Sequence, residues 1–287
     1  MKYRHSFHAG NFADLHKHVT LLALLTALKR KDKGFLYLDT HAGRGSYDLS
    51  QPTPEARAGV GRFLGTGPRA AELRHYASLL ERLRHAGGER AHYPGSPLIA
   101  ASELRAQDRA VFIEWLSSEA QALRAALAGA AAQHAPPARV RIERGDGLAL
   151  LRAHLPPPER RGLAFIDPPY EAPAGDFAAV TAAVADGLRR FPTGVFAVWY
   201  PIKQRSDALA WHARWSGSIA APTLLSELWL YPLDSRVSLN GSGLLIVNPP
   251  WRIMERMSDW LPELHSCLAV GSSGGTDVRM LSQSARP

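Results

Sequence analysis

The stretch Leu163-Ala164-Phe165-Ile166-Asp167-Pro168-Pro169-Tyr170 decides how this chain is read. Its first four residues are an apolar run too short for a helix, so they predict a buried strand that delivers Asp167 to the edge of a sheet. The two prolines fix the backbone and remove two N–H donors, which leaves the neighbouring carbonyls with little local hydrogen bonding. An acid, a carbonyl acceptor and an aromatic ring are thereby brought together. That set suits the exocyclic amine of a nucleobase, whose lone pair is delocalised into the ring until acceptors hold its hydrogens. Asp167 and the Pro168 carbonyl are the candidate acceptors, and Tyr170 is the candidate stacking ring for an unstacked base. The same tetrapeptide also describes a tight turn after a strand, with Tyr170 as packing.

Upstream of it, three more strands end in acids. Phe35 to Leu38 leads to Asp39 and then to Thr40-His41-Ala42-Gly43-Arg44-Gly45; Val111 to Ile113 leads to Glu114; Val140 to Ile142 leads to Gly145-Asp146-Gly147. A strand that ends in an acid and opens into glycines is how α/β nucleotide sites begin, because glycine lets backbone approach a ligand. Glu114 is placed to accept both hydroxyls of a ribose, and Asp146 to accept from an adenine amino group. The third glycine of the dinucleotide fingerprint is missing, which argues against a nicotinamide or flavin enzyme.

Downstream, helix 176–190, strand 194–199, helix 203–215 and strands 224–230 and 243–247 continue the alternation. The whole predicts an α/β fold with a mostly parallel, seven-stranded sheet, helices on both faces and ligands beyond the strands' C-terminal ends. The short connection between the last two strands makes the final strand antiparallel. A second Pro-Pro motif, Asn248-Pro249-Pro250-Trp251, follows that final strand and reads as structural, because it stands outside the series of four acid-bearing strand ends. Domain boundaries are expected at 1–50 and 89–270 for the main domain, with a helical insertion after the first strand at 51–88. The glycine- and serine-rich tail, 271–287, is expected to be disordered.

At the N-terminus, Tyr3 to Asn11 is polar, aromatic and basic, and it precedes a helix that runs from about Ala13 to Arg30. Leu15, Val19, Leu22 and Leu25 define that helix's buried side, while His16, Lys17 and His18 lie on its first turns. A histidine on a helix is more often structural than functional. In the insertion, Leu73, Tyr76, Leu79, Leu80 and Leu83 recur at helical spacing over residues 69–85.

The chain has 287 residues, 46% of them hydrophobic, and a formal net charge of +8. Residues 1–33 carry +5 and residues 54–98 carry +3, so the basic excess lies in two segments and points to a polyanionic partner. The single cysteine, Cys267, excludes a disulfide framework and a cysteine zinc site and fits a reducing cytoplasm. No signal peptide or apolar run of membrane-spanning length is present in the sequence, so a cytoplasmic protein without membrane partners is expected.

Taken together, Tyr3-Arg4-His5-Ser6-Phe7-His8-Ala9-Gly10-Asn11 with Lys17-His18, Leu38-Asp39-Thr40-His41-Ala42-Gly43, Tyr93-Pro94-Gly95-Ser96-Pro97, Asp167-Pro168-Pro169-Tyr170 and Asn248-Pro249-Pro250-Trp251 resemble the bacterial large-subunit (23S) ribosomal RNA adenine-N6 methyltransferase J family. The resemblance runs from Met1 to about Leu268. It implies a Rossmann-like, S-adenosyl-L-methionine-dependent enzyme that methylates N6 of one adenine in large-subunit ribosomal RNA; apart from the resemblance, a monomer is expected and the transfer needs no metal. It implies that His18, His41, Gly43, Ser96, Glu114, Asp146, Gly147 and Asp167 face the cofactor, that Asp167 is the proton acceptor, and that Tyr3, Arg4 and Lys17 meet the RNA. Arg44 departs from the small residue expected between the two glycines; it either crowds the cofactor loop or points outwards to phosphate. Two rival readings stay open, an adenine-N6 DNA methyltransferase and a non-catalytic RNA-binding protein on the same fold.

Overall fold

The computed structural model describes residues 5–86, 92–131, 139–235 and 239–281. Ten strands occur among them in chain order: β1 Leu36–Asp39, β2 Ser46–Asp48, β3 His92–Pro94, β4 Arg109–Glu114, β5 Arg139–Arg144, β6 Gly162–Ile166, β7 Val195–Ile202, β8 Thr223–Trp229, β9 Gly241–Val247 and β10 Gly275–Met280. The helices are α1 His5–His8, α2 Phe12–Lys29, α3 Pro54–Ala56, α4 Arg62–Gly65, α5 Ala71–Ala86, α6 Ser96–Glu103, α7 Ser117–Ala131, α8 Gly147–Leu151, α9 Pro173–Arg190, α10 Arg205–Ser218 and α11 Ile253–Leu268.

Eight strands form one sheet in the order β10-β8-β9-β7-β6-β1-β4-β5, and β2 pairs with β3 in a separate ribbon. Strands β5, β4, β1, β6 and β7 are mutually parallel, whereas β9 runs antiparallel to both neighbours. The sheet therefore has one strand more than expected. Its extra member, β10, lies in the stretch expected to be disordered and pairs antiparallel with β8 from Gly275↔Trp229 to Met280↔Leu224. Thr276, Val278 and Met280 alternate with Asp277 and Arg279, the period-2 pattern of an edge strand.

Helix α2 is more central than its sequence indicates. Every residue from Ala13 to Leu25 is buried, where a one-sided stripe was expected, because α5, α6, α11 and β9 all pack against it. A helix enclosed on all sides is a core helix. Asn11 starts it by accepting from the Asp14 N–H at 3.0 Å. The inserted helices share this core: Leu73, Tyr76, Leu79 and Leu80 are fully buried within the same apolar cluster as α2 and the sheet.

The opposite face of the sheet carries α9 and α10, with Trp211 and Trp215 fully buried. Such rings each bury roughly 150–250 Å², worth about 4–6 kcal/mol of gross transfer free energy before ordering entropy is subtracted. No helix among the described residues is long and apolar enough to cross a membrane.

Candidate active site

Adjacent parallel strands β5, β4, β1 and β6 end at one edge of the sheet, so the acids that follow them stand side by side. Asp39, at the end of β1, is fully buried and accepts from Ser96 Oγ at 2.7 Å, Tyr37 Oη at 3.0 Å and the His41 N–H at 3.2 Å. Burial nevertheless raises its pKa to about 6. Ser96, at the start of α6, thus reaches the site by holding Asp39.

Glu114 accepts from the Gly43 N–H at 2.8 Å on one oxygen and from the Leu116 N–H at 2.8 Å on the other. Burial raises its pKa, against the pull of those two N–H groups. Gly43 has φ +64, a left-handed conformation that brings its N–H to the carboxylate. Asp146 is exposed and caps α8 through Oδ1, which accepts from the Leu148 and Ala149 N–H groups at 2.9 and 3.2 Å. Gly147 beside it passes so close to the first loop that a Cβ would stand 1.8 Å from the Thr40 carbonyl oxygen. His41 is part-exposed, and desolvation lowers its pKa to about 4 despite the carboxylates of Asp167, Asp146 and Asp176.

His18 lies one layer deeper. It is buried on α2, with Nδ1 2.9 Å from Tyr93 Oη, and Tyr93 in turn bonds Tyr76 Oη at 2.9 Å. This network ties α2 to α5 and to β3.

Asp167 follows β6 and has a partner that sequence reasoning missed. Lys17 Nζ stands 2.5 Å from Asp167 Oδ2 and 2.9 Å from Asp14 Oδ1, and 5.2 Å from the centre of the Trp199 ring. Asp14 Oδ2 also accepts from the Gly10 N–H at 2.9 Å. Lys17, expected at the RNA, is instead only 4% exposed and belongs to the floor of the site. The Asp14/Lys17 spacing of three is visible in the sequence, but the long-range pairing is not.

Tyr170 also departs from expectation. It is 1% exposed, its ring packs 5.1 Å from Phe177 and 5.9 Å from Trp199, and its hydroxyl donates to the Trp199 carbonyl at 2.6 Å. A ring so enclosed has no face for a base; it anchors the Pro168-Pro169 turn to β7. Pro168 is buried and Pro169 exposed. Tyr3 and Arg4 lie outside the described residues.

The Asn248 motif stands at the other edge of the sheet, since Val247 pairs with Phe196 at the start of β7. Asn248 Nδ2 donates to the Pro192 and Gly194 carbonyls, both at 2.8 Å, and so closes the turn before β7.

A model of the family described as "Ribosomal RNA large subunit methyltransferase D, RlmJ" matches residues 32–281. The chain belongs to this methyltransferase family. It is 39% identical over 282 residues to the ribosomal RNA large subunit methyltransferase J of Escherichia coli (strain K12), covering 97% of this chain and 98% of the relative. The Haemophilus influenzae protein of the same name is 36% identical over 285 residues, covering 98% and 99%. The crystal structure of protein LPL1258 from Legionella pneumophila superposes with a TM-score of 0.84 at 33% identity, covering 96% of this chain and 99% of that one. The four acids and the glycine loop stand along one edge of the sheet, and the Lys17–Asp167 pair lies at the end of that row.

Proposed function

We propose that the chain transfers a methyl group from S-adenosyl-L-methionine to N6 of an adenine in large-subunit ribosomal RNA. The observation that carries this reading is Asp167 Oδ2 held by Lys17 at the end of the strand next to β1. With Oδ2 occupied by the ammonium, Oδ1 is the oxygen that takes an amine hydrogen, and the Pro168 carbonyl takes the second. The amine lone pair is then freed from the ring and aimed along the sheet edge.

The donor set fits the cofactor. Glu114 keeps lone pairs for two ribose hydroxyls after accepting from Gly43 and Leu116, Asp146 Oδ2 is available to an adenine amino group, and Gly43 brings backbone to the ligand without a side chain. When bound, S-adenosylmethionine supplies an electrophilic methyl carbon. The protein's part is alignment and exclusion of water, effects able to lower a barrier by roughly 7–11 kcal/mol. Asp167 holds the amine through attack and finally accepts its proton. Likeness to two ribosomal RNA large subunit methyltransferases J supports ribosomal RNA as the polymer, and the basic excess of residues 1–33 and 54–98 supports a polyanion. One chain supplies all four strand-end acids and Lys17, which supports a monomer as the catalytic unit, and the lone cysteine supports a cytoplasmic setting.

The test offers methyl-labelled S-adenosylmethionine with naked large-subunit RNA, assembled large subunits and duplex DNA. Label is expected on adenine N6 of the RNA and absent from Asp167→Asn, which should still bind the cofactor by calorimetry. Label in DNA alone, or normal turnover by Asp167→Asn, would overturn the reading.

A further inference from the structure

Arg44 occupies the cofactor loop between Gly43 and Gly45, and it neither crowds the loop nor projects freely into solvent. Its guanidinium grips Glu119 with two parallel bonds, Nε to Oε2 at 2.9 Å and Nη2 to Oε1 at 2.8 Å. Glu119 lies in the first turn of α7, the helix that follows Glu114. The neighbouring loop residues join the same part of the molecule. The Ala42 N–H donates to the Ile113 carbonyl at 2.9 Å, and the Gly43 N–H donates to Glu114 at 2.8 Å. Gly45, at φ +77, lies so close to α7 that a Cβ would meet Leu123 Cδ1 at 2.7 Å. Four successive loop residues thus contact β4, Glu114 or α7.

We propose that Arg44 and Glu119 form a clamp that presets the glycine loop and Glu114 for the cofactor, Arg44 being a positioning residue and not a ligand of cofactor or RNA. Two glycines at positive φ make the loop costly to order, because glycine loses more freedom on ordering than any other residue. A bidentate guanidinium–carboxylate pair fixes orientation as well as distance. Bridging the tip of the loop to α7, it holds the Gly43 N–H on Glu114 before any ligand arrives, and binding then avoids part of the ordering cost. Nothing comparable is available to a small residue at this position.

The inference rests on the S-adenosylmethionine reading of the site, so the experiment begins with the unaltered protein. S-adenosylmethionine and S-adenosylhomocysteine are titrated by calorimetry into it, into Arg44→Ala, Glu119→Ala and the exchanged pair Arg44→Glu/Glu119→Arg, with thermal unfolding of each protein measured without cofactor. Each single substitution should weaken binding of both ligands about two- to fivefold, the effect of a partly exposed ion pair. The KM for S-adenosylmethionine should rise with kcat nearly unchanged, and the exchanged pair should recover most of the affinity. Unchanged cofactor affinity with a raised KM for RNA would overturn the clamp and assign Arg44 to phosphate. Loss of affinity that follows lost thermal stability, with no recovery in the exchanged pair, would overturn it as well. Failure of the unaltered protein to bind either ligand would instead remove the S-adenosylmethionine reading, and the clamp with it.

Discussion

Lys17 Nζ and Asp167 Oδ2 stand 2.5 Å apart although 150 residues separate them in the chain. The lysine is buried on α2 and also pairs with Asp14, so one ammonium is shared by two carboxylates. Removing a cation from such a cluster leaves buried negative charge uncompensated, which costs about 3–5 kcal/mol. Lys17→Met should lower stability to urea by that order and reduce methyl transfer at least about a hundredfold through misplacement of Asp167. Adding Asp14→Asn should return part of the stability and none of the activity. If Lys17→Met turns over normally, Asp167 does not depend on it for placement.

Gly147 offers a second check, on how the proposed cofactor edge is assembled. A Cβ there would stand 1.8 Å from the Thr40 carbonyl oxygen, so Gly147→Ala must push α8 away from the loop that carries His41. Overpacking of this kind costs roughly 1–3 kcal/mol, and cofactor affinity should fall with it. Gly129, on α7, has no atom of the described residues outside its own helix backbone within 4 Å of its Cβ position. Gly129→Ala should therefore stabilise by about 0.5–1 kcal/mol, since alanine favours a helix interior over glycine. Equal effects from the two substitutions, followed by thermal unfolding, would contradict the close approach.

The strand-end acids were legible because each closes a short apolar run, and the alternation of strands with helices fixes which edge those runs share. What lay beyond reach was anything set by packing across the chain. Lys17 reads as a basic residue in a basic segment, and only the burial of α2 turns it towards Asp167. Tyr170 reads as an exposed ring after a Pro-Pro turn, yet its hydroxyl finds the Trp199 carbonyl and its ring fills space beside Phe177. The helical spacing of Leu73, Tyr76, Leu79 and Leu80 was visible, but the packing of α5 into the main core was not, because periodicity shows that a face is buried and not against what. Arg44 was identified as a departure, and its partner Glu119 follows only from the approach of α7.

His16 gives the protein a predictable weakness in acid. It is fully buried on α2 between Ser242 Oγ at 3.0 Å and Ser226 Oγ at 2.9 Å, which ties the helix to β9 and β8. Burial lowers its pKa from 6.5 to about 3. A depressed pKa means that the unfolded chain takes up the proton first, so the stabilisation is complete above pH 6.5 and is lost as pH falls towards 3. The loss is on the order of 5 kcal/mol, at about 1.4 kcal/mol per unit. Urea midpoints should drop across that window, and His16→Gln should flatten the drop while costing some stability at pH 8. A pH slope identical in both proteins would show that His16 does not carry it.

The edge strand β10 makes the final test, because the same residues read as a disordered tail. Gly275 to Met280 pairs with β8 along six positions, and its Asp277 and Arg279 form an ion pair at 2.9 Å along the outermost strand. Without β10 the row of backbone groups on β8 becomes an open edge carrying Leu224, Leu225 and Leu228, all fully buried in the intact protein. Such an edge is a template for pairing with another chain, whereas the charges on β10 oppose it. The backbone bonds lost are each worth about 0.5–1.5 kcal/mol net, and part of that is offset by the freedom the tail regains. Deleting residues 271–287 should therefore lower stability by about 2–4 kcal/mol and give concentration-dependent association by light scattering. The strand-end acids of the proposed site lie at the far end of the sheet order, beyond β9 and β7, so cofactor affinity of the folded fraction should stay within about twofold. A truncated chain that keeps its urea midpoint and stays dispersed would mean that β10 contributes no stabilising pairing in solution.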